Sequence, residues 1–186
     1  INKGGGQVWE IPKECQSLNL KSNKIGDEGA RELATAMLVN DTLTSLNLRI
    51  NHIGAEGARE LATAMKENKN IKLTELNLSN NEIGGEGARE LAAALKDNNT
   101  LTLLNLAYND IGAEGVRELA TAMKENKNIK LAELDLGNNG IGDEGARELA
   151  AAMLVNDTLT ILNLWANDIG AEGARELATA MKENKN

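Results

Sequence analysis

Residues suited to covalent chemistry are few. His52 is the single histidine and Cys15 the single cysteine among 186 residues. A Cys–His nucleophile pair must sit within hydrogen-bond reach, but these two occupy different slots of adjacent repeated segments. Zinc needs several Cys or His ligands at close spacing, so no metal site is expected. Gly4-Gly5-Gly6 lacks the Gly-Lys-Ser/Thr that would complete a phosphate loop. Gly54-x-x-Gly57 is accounted for by turn geometry at a helix start. The carboxylates recur as solvated helix faces, not as acid–base pairs. The inventory predicts a chain that is not an enzyme and takes no cofactor. What remains is recognition chemistry, carried by charges and by three large rings: Trp9, Tyr108 and Trp165.

The elements that position those residues repeat along the chain. The leucine pair Leu46/Leu48 returns as Leu18/Leu20, Leu76/Leu78, Leu104/Leu106, Leu134/Leu136 and Leu162/Leu164. Asn23, Asn51, Asn81, Asn109, Asn139 and Asn167 follow at steps of 28, 30, 28, 30 and 28 residues. A fixed period of this length marks a solenoid, whose units bury their apolar faces only against neighbours. Each unit reads as strand, turn, helix and return loop. Leu46 and Leu48 point to the core, while Ser45, Asn47 and Arg49 point away, by strand alternation. Asn51 is the turn residue, its amide suited to unpaired backbone groups, and stacked units would form a ladder.

A helix is expected over about 56–67, with Ala58, Leu61, Ala62 and Met65 on one face. Asn68 closes it, a type that tolerates a left-handed cap. The two extra residues of alternate units fall in the helix-to-strand loop, beside Ile71 and Ile129, so the full repeat is a 58-residue pair. Residues 55–73 and 113–131 differ only at Ala58 versus Val116. Such uniformity points to recent duplication or to an engineered, consensus-like scaffold.

The run Leu-x-x-Leu-x-Leu-x-x-Asn-x-Ile, at 73–83 and 101–111, resembles the leucine-rich repeat. Its continuation Ile-Gly-x-Glu-Gly-Ala-Arg-Glu-Leu-Ala is similar to the ribonuclease-inhibitor-like subclass, which includes innate-immune receptors and a GTPase-activating protein for Ran. The resemblance implies a right-handed α/β solenoid, or horseshoe, with a parallel sheet on the concave face and helices on the convex face. It covers residues 15–186 as six repeats. Residues 1–14 fall outside the pattern and are expected as a lead-in and partial cap, with Trp9 folded over the first repeat. Extracellular members usually carry disulfide-bonded caps. A lone Cys15, in the slot of a buried leucine, therefore favours a reducing, cytoplasmic compartment.

In this near-invariant frame the outward strand and turn positions vary, and in the family that face holds partners. The expected partner-binding residues are Arg49, Ile50, Glu75, Tyr108, Asp110, Glu133, Asp135, Trp165 and Asp168. Large rings on an accessible face are enriched at binding hot spots. Charge is graded: Lys21, Lys24 and Arg49 come early, and Glu75, Glu82, Asp110, Glu133, Asp135 and Asp168 later. A protein partner would present acidic groups to the first repeats and basic groups to the later ones. Six strands about 4.8 Å apart give about 300 Å² of sheet. That is below the roughly 800 Å² per partner of a standard interface, so either flanking loops or further repeats contribute or binding is weak.

The net charge of −8, from 20 basic and 28 acidic residues, argues against nucleic acid as the main partner. No apolar run is long enough for a membrane span. Ile1 is not an initiator methionine, so sequence upstream is expected. The pattern stops after the sixth helix, which predicts an uncapped edge (Leu162, Leu164, Leu177, Met181) and either a fragment of a longer array or self-association through the ends. The expected function is a non-enzymatic protein-interaction module. The alternatives are a structural or engineered scaffold without a natural ligand, and a GTPase-activating module with Arg49 as its candidate residue.

Overall fold

Leucines two apart can both leave one face of a strand, and a helix must then cover them. The computed structural model describes residues 14–184 and realises this six times. The elements run β1 (Ser17–Asn19), α1 (Gly26–Met37), β2 (Ser45–Asn47), α2 (Ala55–Glu67), β3 (Glu75–Asn77) and α3 (Gly84–Leu95). They continue as β4 (Leu103–Asn105), α4 (Gly112–Glu125), β5 (Glu133–Asp135), α5 (Gly142–Met153), β6 (Ile161–Asn163) and α6 (Ala171–Glu183). The six strands form one parallel sheet in sequence order. Its register is in step, so that Leu18, Leu46, Leu76, Leu104, Leu134 and Leu162 face one another in a row. Each helix packs on the next, giving the α/β solenoid. Helices need about 10 Å of lateral room and strands about 4.8 Å, so the stack curves with the sheet inside.

Between the layers lies one core. Leu46, Leu48, Ile53, Leu76, Leu78 and Ile83 are buried from the sheet and turn side, and Ala58, Leu61 and Ala88 from the helix side. Small residues let helices approach closely. A Cβ on Gly57 would lie 2.9 Å from that of Ala30 and 2.8 Å from Ile53 Cγ2. The last unit is covered on one side only: Leu162, Leu164 and Leu177 are half-buried and Met181 is 71% exposed. Cys15, expected as a buried apolar residue, is half-buried instead, and its Sγ donates to the Ser17 carbonyl at 3.3 Å. The cap role read for Trp9 lies outside the described residues.

The turn asparagines form the expected ladder. Asn81 Oδ1 accepts from the backbone N–H of Asn51 (2.9 Å) and Ile53 (3.0 Å). Its Nδ2 donates to the carbonyls of Leu48 (3.0 Å) and Leu78 (2.8 Å). One buried amide thus satisfies backbone in two repeats. Among the described residues, no buried side-chain polar atom lacks a partner.

Two inter-repeat devices were not anticipated. Asn68 is extended (φ −76°, ψ 97°), not left-handed. Its Nδ2 reaches back to the carbonyls of Met37 (2.7 Å) and Asn40 (2.8 Å), closing the C-terminal end of the preceding helix. Asn126 binds Leu95 and Asn98 in the same way, and Asn184 binds Met153 and Asn156. These bonds reach orphan carbonyls that a local cap would leave to water. The second device is at the other helix end. Asp27 Oδ1 accepts from the N–H of Gly54 (2.7 Å) and Gly57 (2.9 Å), and so caps α2 from the neighbouring repeat. Asp143 does the same for α6 through Gly170 and Gly173, both at 2.8 Å. Gly54 and Gly170 are extended there, whereas Gly26, Gly84, Gly112 and Gly142 open their helices with φ between 61° and 67°.

Candidate functional site

Each strand is only three residues long, but backbone pairing runs on through the following turn. Ser22 N–H bonds to Arg49 O (2.9 Å), Tyr108 N–H to Gly137 O (2.8 Å) and Asn138 N–H to Trp165 O (2.8 Å). The second outward residue of each strand props that turn. Asn47 Oδ1 accepts from Arg49 N–H (3.1 Å) and Asn105 Oδ1 from Ala107 N–H (3.0 Å). Asp135 is the acidic member of this row. Its Oδ1 accepts from Gly137 N–H (3.0 Å) and holds the turn, while its Oδ2 accepts from Asn105 Nδ2 (3.2 Å) on the neighbouring strand.

Of the nine expected partner-binding residues, Glu75, Glu133 and Asp135 lie on strands; Arg49, Ile50, Tyr108, Asp110, Trp165 and Asp168 lie in the turns that leave them. Arg49 and Ile50 belong to the second repeat, and Glu75 to the third, where its carboxylate accepts from Ser45 Oγ at 3.0 Å. Arg49, Asp110 and Asp168 are exposed, and Glu133 is half-buried. Ile50 is half-buried with φ 57°, in a row with Ser22, Asn80, Tyr108, Asn138 and Ala166 at φ 50° to 61°. That region suits Asn, and a β-branched residue there is strained. His52, in the variable slot after the turn asparagine, is exposed and pairs with Glu82 at 2.8 Å.

The two rings meet, although they lie two repeats apart. Trp165 and Tyr108 have centroids 5.0 Å apart and planes at 71°, an edge-to-face pair. Gly137, in the repeat between, makes this possible. A Cβ there would lie 2.0 Å from Trp165 Nε1, 2.4 Å from Cε2 and 2.6 Å from Cδ1. Distances so nearly equal place the indole face, not its edge, over the glycine. Gly137 is buried beneath it, while Trp165 stays 43% and Tyr108 41% exposed. A glycine in a slot that carries Lys21, Arg49 and Ser79 elsewhere was the signal that would have linked the rings.

The helix face differs. Its charges pair across repeats: Lys96 with Glu125 (3.0 Å), Arg117 with Glu144 (2.7 Å) and Arg147 with Glu172 (2.5 Å). The hydrogen bond to Glu144, followed by the charge of Glu114, raises the Arg117 pKa above its ordinary value. Among the described residues no three His, Cys, Asp or Glu are grouped to hold a metal ion, and no helix is long and apolar enough to cross a membrane.

Comparisons with known proteins agree with this architecture. The Leiomodin-1 Actin-Binding Site 2 superposes with a TM-score of 0.58 at 22% identity, covering 93% of this chain and 82% of that one. The tropomodulin C-terminal domain of Caenorhabditis elegans gives 0.59 at 14% identity, covering 93% and 86%. At such identities the likeness is one of fold. No curated protein sequence matches the chain. The Leucine Rich repeat family matches six segments, residues 16–34, 39–62, 69–92, 97–120, 127–150 and 155–178. Together these cover most of the sequence, in phase with the six strand–helix units, and the chain belongs to the leucine-rich repeat family.

Proposed function

We propose that the chain is a non-enzymatic protein-binding module that holds its partner on the concave sheet face and the turns beside it. The observation that carries this reading is the Trp165–Tyr108 pair: two large rings, each more than two-fifths exposed, in a chain with only three such side chains. Exposed rings that already have fixed neighbours lose little freedom when a partner covers them. That a solenoid of similar fold is an actin-binding site in leiomodin-1 is in keeping with a binding role, without naming this chain's partner. The alternation of 28 and 30 residues and helices of 12 to 14 residues support placement in the ribonuclease-inhibitor-like subclass. The single, half-buried Cys15 supports a cytoplasmic setting.

The test is affinity capture with three baits: the wild type, Tyr108→Ala/Trp165→Ala, and Arg147→Gln on the helix face. A protein retained by the wild type and Arg147→Gln and released by the double variant, with all baits equally helical, is the expected result. Equal retention by all three baits would remove the concave-face reading.

A further inference from the structure

We propose that the free face of the Trp165 indole is the seat of an arginine guanidinium, so that the partner segment over repeats four to six is basic. This rests on the concave-face reading above and names the chemistry of its partner. One face of the indole lies on Gly137, so its exposure belongs to the opposite face and the rim. Tyr108 meets it edge to face, with the planes at 71° and the centroids 5.0 Å apart, so that two rings border the site. Both ring faces are electron-rich, and a cation over an indole is the strongest pairing of this kind.

The surroundings select the sign of the occupant. The outward strand and turn positions of repeats four to six include Asp110, Glu133, Asp135 and Asp168 and contain no lysine or arginine, whereas those of repeats one and two carry Lys21, Lys24 and Arg49. Asp110 and Asp168 are exposed and lie two residues after Tyr108 and three after Trp165. A planar guanidinium can stack flat on the indole and still direct its in-plane N–H groups toward carboxylates. An ammonium, a compact point charge, cannot do both as well. A nucleic acid base would stack equally well, but its phosphates would meet four carboxylate positions.

The test uses two synthetic hexapeptides, Gly-Arg-Gly-Arg-Gly-Arg and the same sequence with citrulline for arginine, which keeps the shape and removes the charge. Binding is read from the indole N–H resonance of Trp165, assigned by its loss in Trp165→Ala and so distinct from that of Trp9. The arginine peptide should move the resonance to saturation, and the citrulline peptide should bind about tenfold more weakly. Asp110→Asn/Asp168→Asn should weaken the arginine peptide with both rings in place. Gly137→Ala, which displaces the indole but asks for no unusual backbone, should abolish binding with helicity unchanged. Equal binding of the two peptides, or no movement of the resonance by either, overturns the guanidinium seat. The capture experiment uses no peptide, so release of the partner by the ring variants without any arginine preference would leave the concave-face reading intact.

Discussion

The helix face and the sheet face of this solenoid solve different problems with the same backbone. On the helix face the sequence hardly changes from repeat to repeat, and charged side chains pair with those of the next helix, as Arg147 does with Glu172 at 2.5 Å. Such exposed pairs are nearly neutral in stability. On the sheet face the outward slots carry a lysine, an arginine, a serine, an alanine, a glycine and a tryptophan at one and the same position. Stability there comes from backbone pairing and buried asparagine amides beneath the surface. The frame therefore holds whatever the outward slot contains, and that slot is free to specify a partner. Where packing is indifferent to the side chain, function can write on it.

This contrast is sharpened or broken by substitutions on each side, the largest effect first. Asn81→Ala, beneath the sheet-side turn, removes an amide that serves two repeats and leaves buried backbone groups unpaired, and should cost about 2–3 kcal/mol in urea unfolding. A loss below 0.5 kcal/mol would mean that water replaces the ladder, and the frame would owe little to it. Asp27→Ala, on the helix side, should cost about 1 kcal/mol, and amide exchange should quicken in the first turn of α2 while the first turn of α3 is unaffected. Exchange rising equally in both helices would show that the carboxylate is no local cap. Ile50→Asn should stabilise the fold by about 0.5 kcal/mol, because relief of the strained φ of 57° outweighs the lost half-burial. A destabilisation there would mean that the isoleucine packs as core. Arg147→Gln should change stability by less than about 0.5 kcal/mol; a larger loss would show that helix-face pairs hold the stack and undo the contrast drawn here.

Much of the frame was legible because it repeats. The helix read over 56–67 runs from Ala55 to Glu67, and the ladder of Asn51 and its counterparts is present. Six identical contexts average away the ambiguity of any one. Legibility failed where a residue acts on another repeat. Asn68 reads locally as a left-handed cap, but backbone carbonyls in the preceding helix offer its amide two bonds, and the extended conformation gets it there. Asp27 reads as a first-turn acid of its own helix, yet the N–H groups it meets belong to the next. At the candidate site the outward position of Trp165 followed from strand alternation, and that of Tyr108 from its place at the strand end, outside the leucine slots. Their contact did not, because it depends on a missing side chain at Gly137, 28 residues before one ring and 29 after the other. That Asp135, one of the expected partner-binding residues, also props a turn was not legible, because the row it belongs to is defined by hydrogen bonds, which the residue type alone does not display.

The backward-reaching asparagines do not occur in every repeat. Asn68, Asn126 and Asn184 tie the second repeat to the first, the fourth to the third and the sixth to the fifth, whereas Asn98 turns its amide to Thr100 in its own loop. Asp27 and Asp143 add a second tie within the first and third of these couples. At the helix ends the solenoid is thus tied in three couples, which the asparagine ladder and side-chain bonds such as Ser45–Glu75 and Arg117–Glu144 join to one another. The asparagine ties recur every 58 residues, so at the helix ends the structural unit is the pair and not the single repeat.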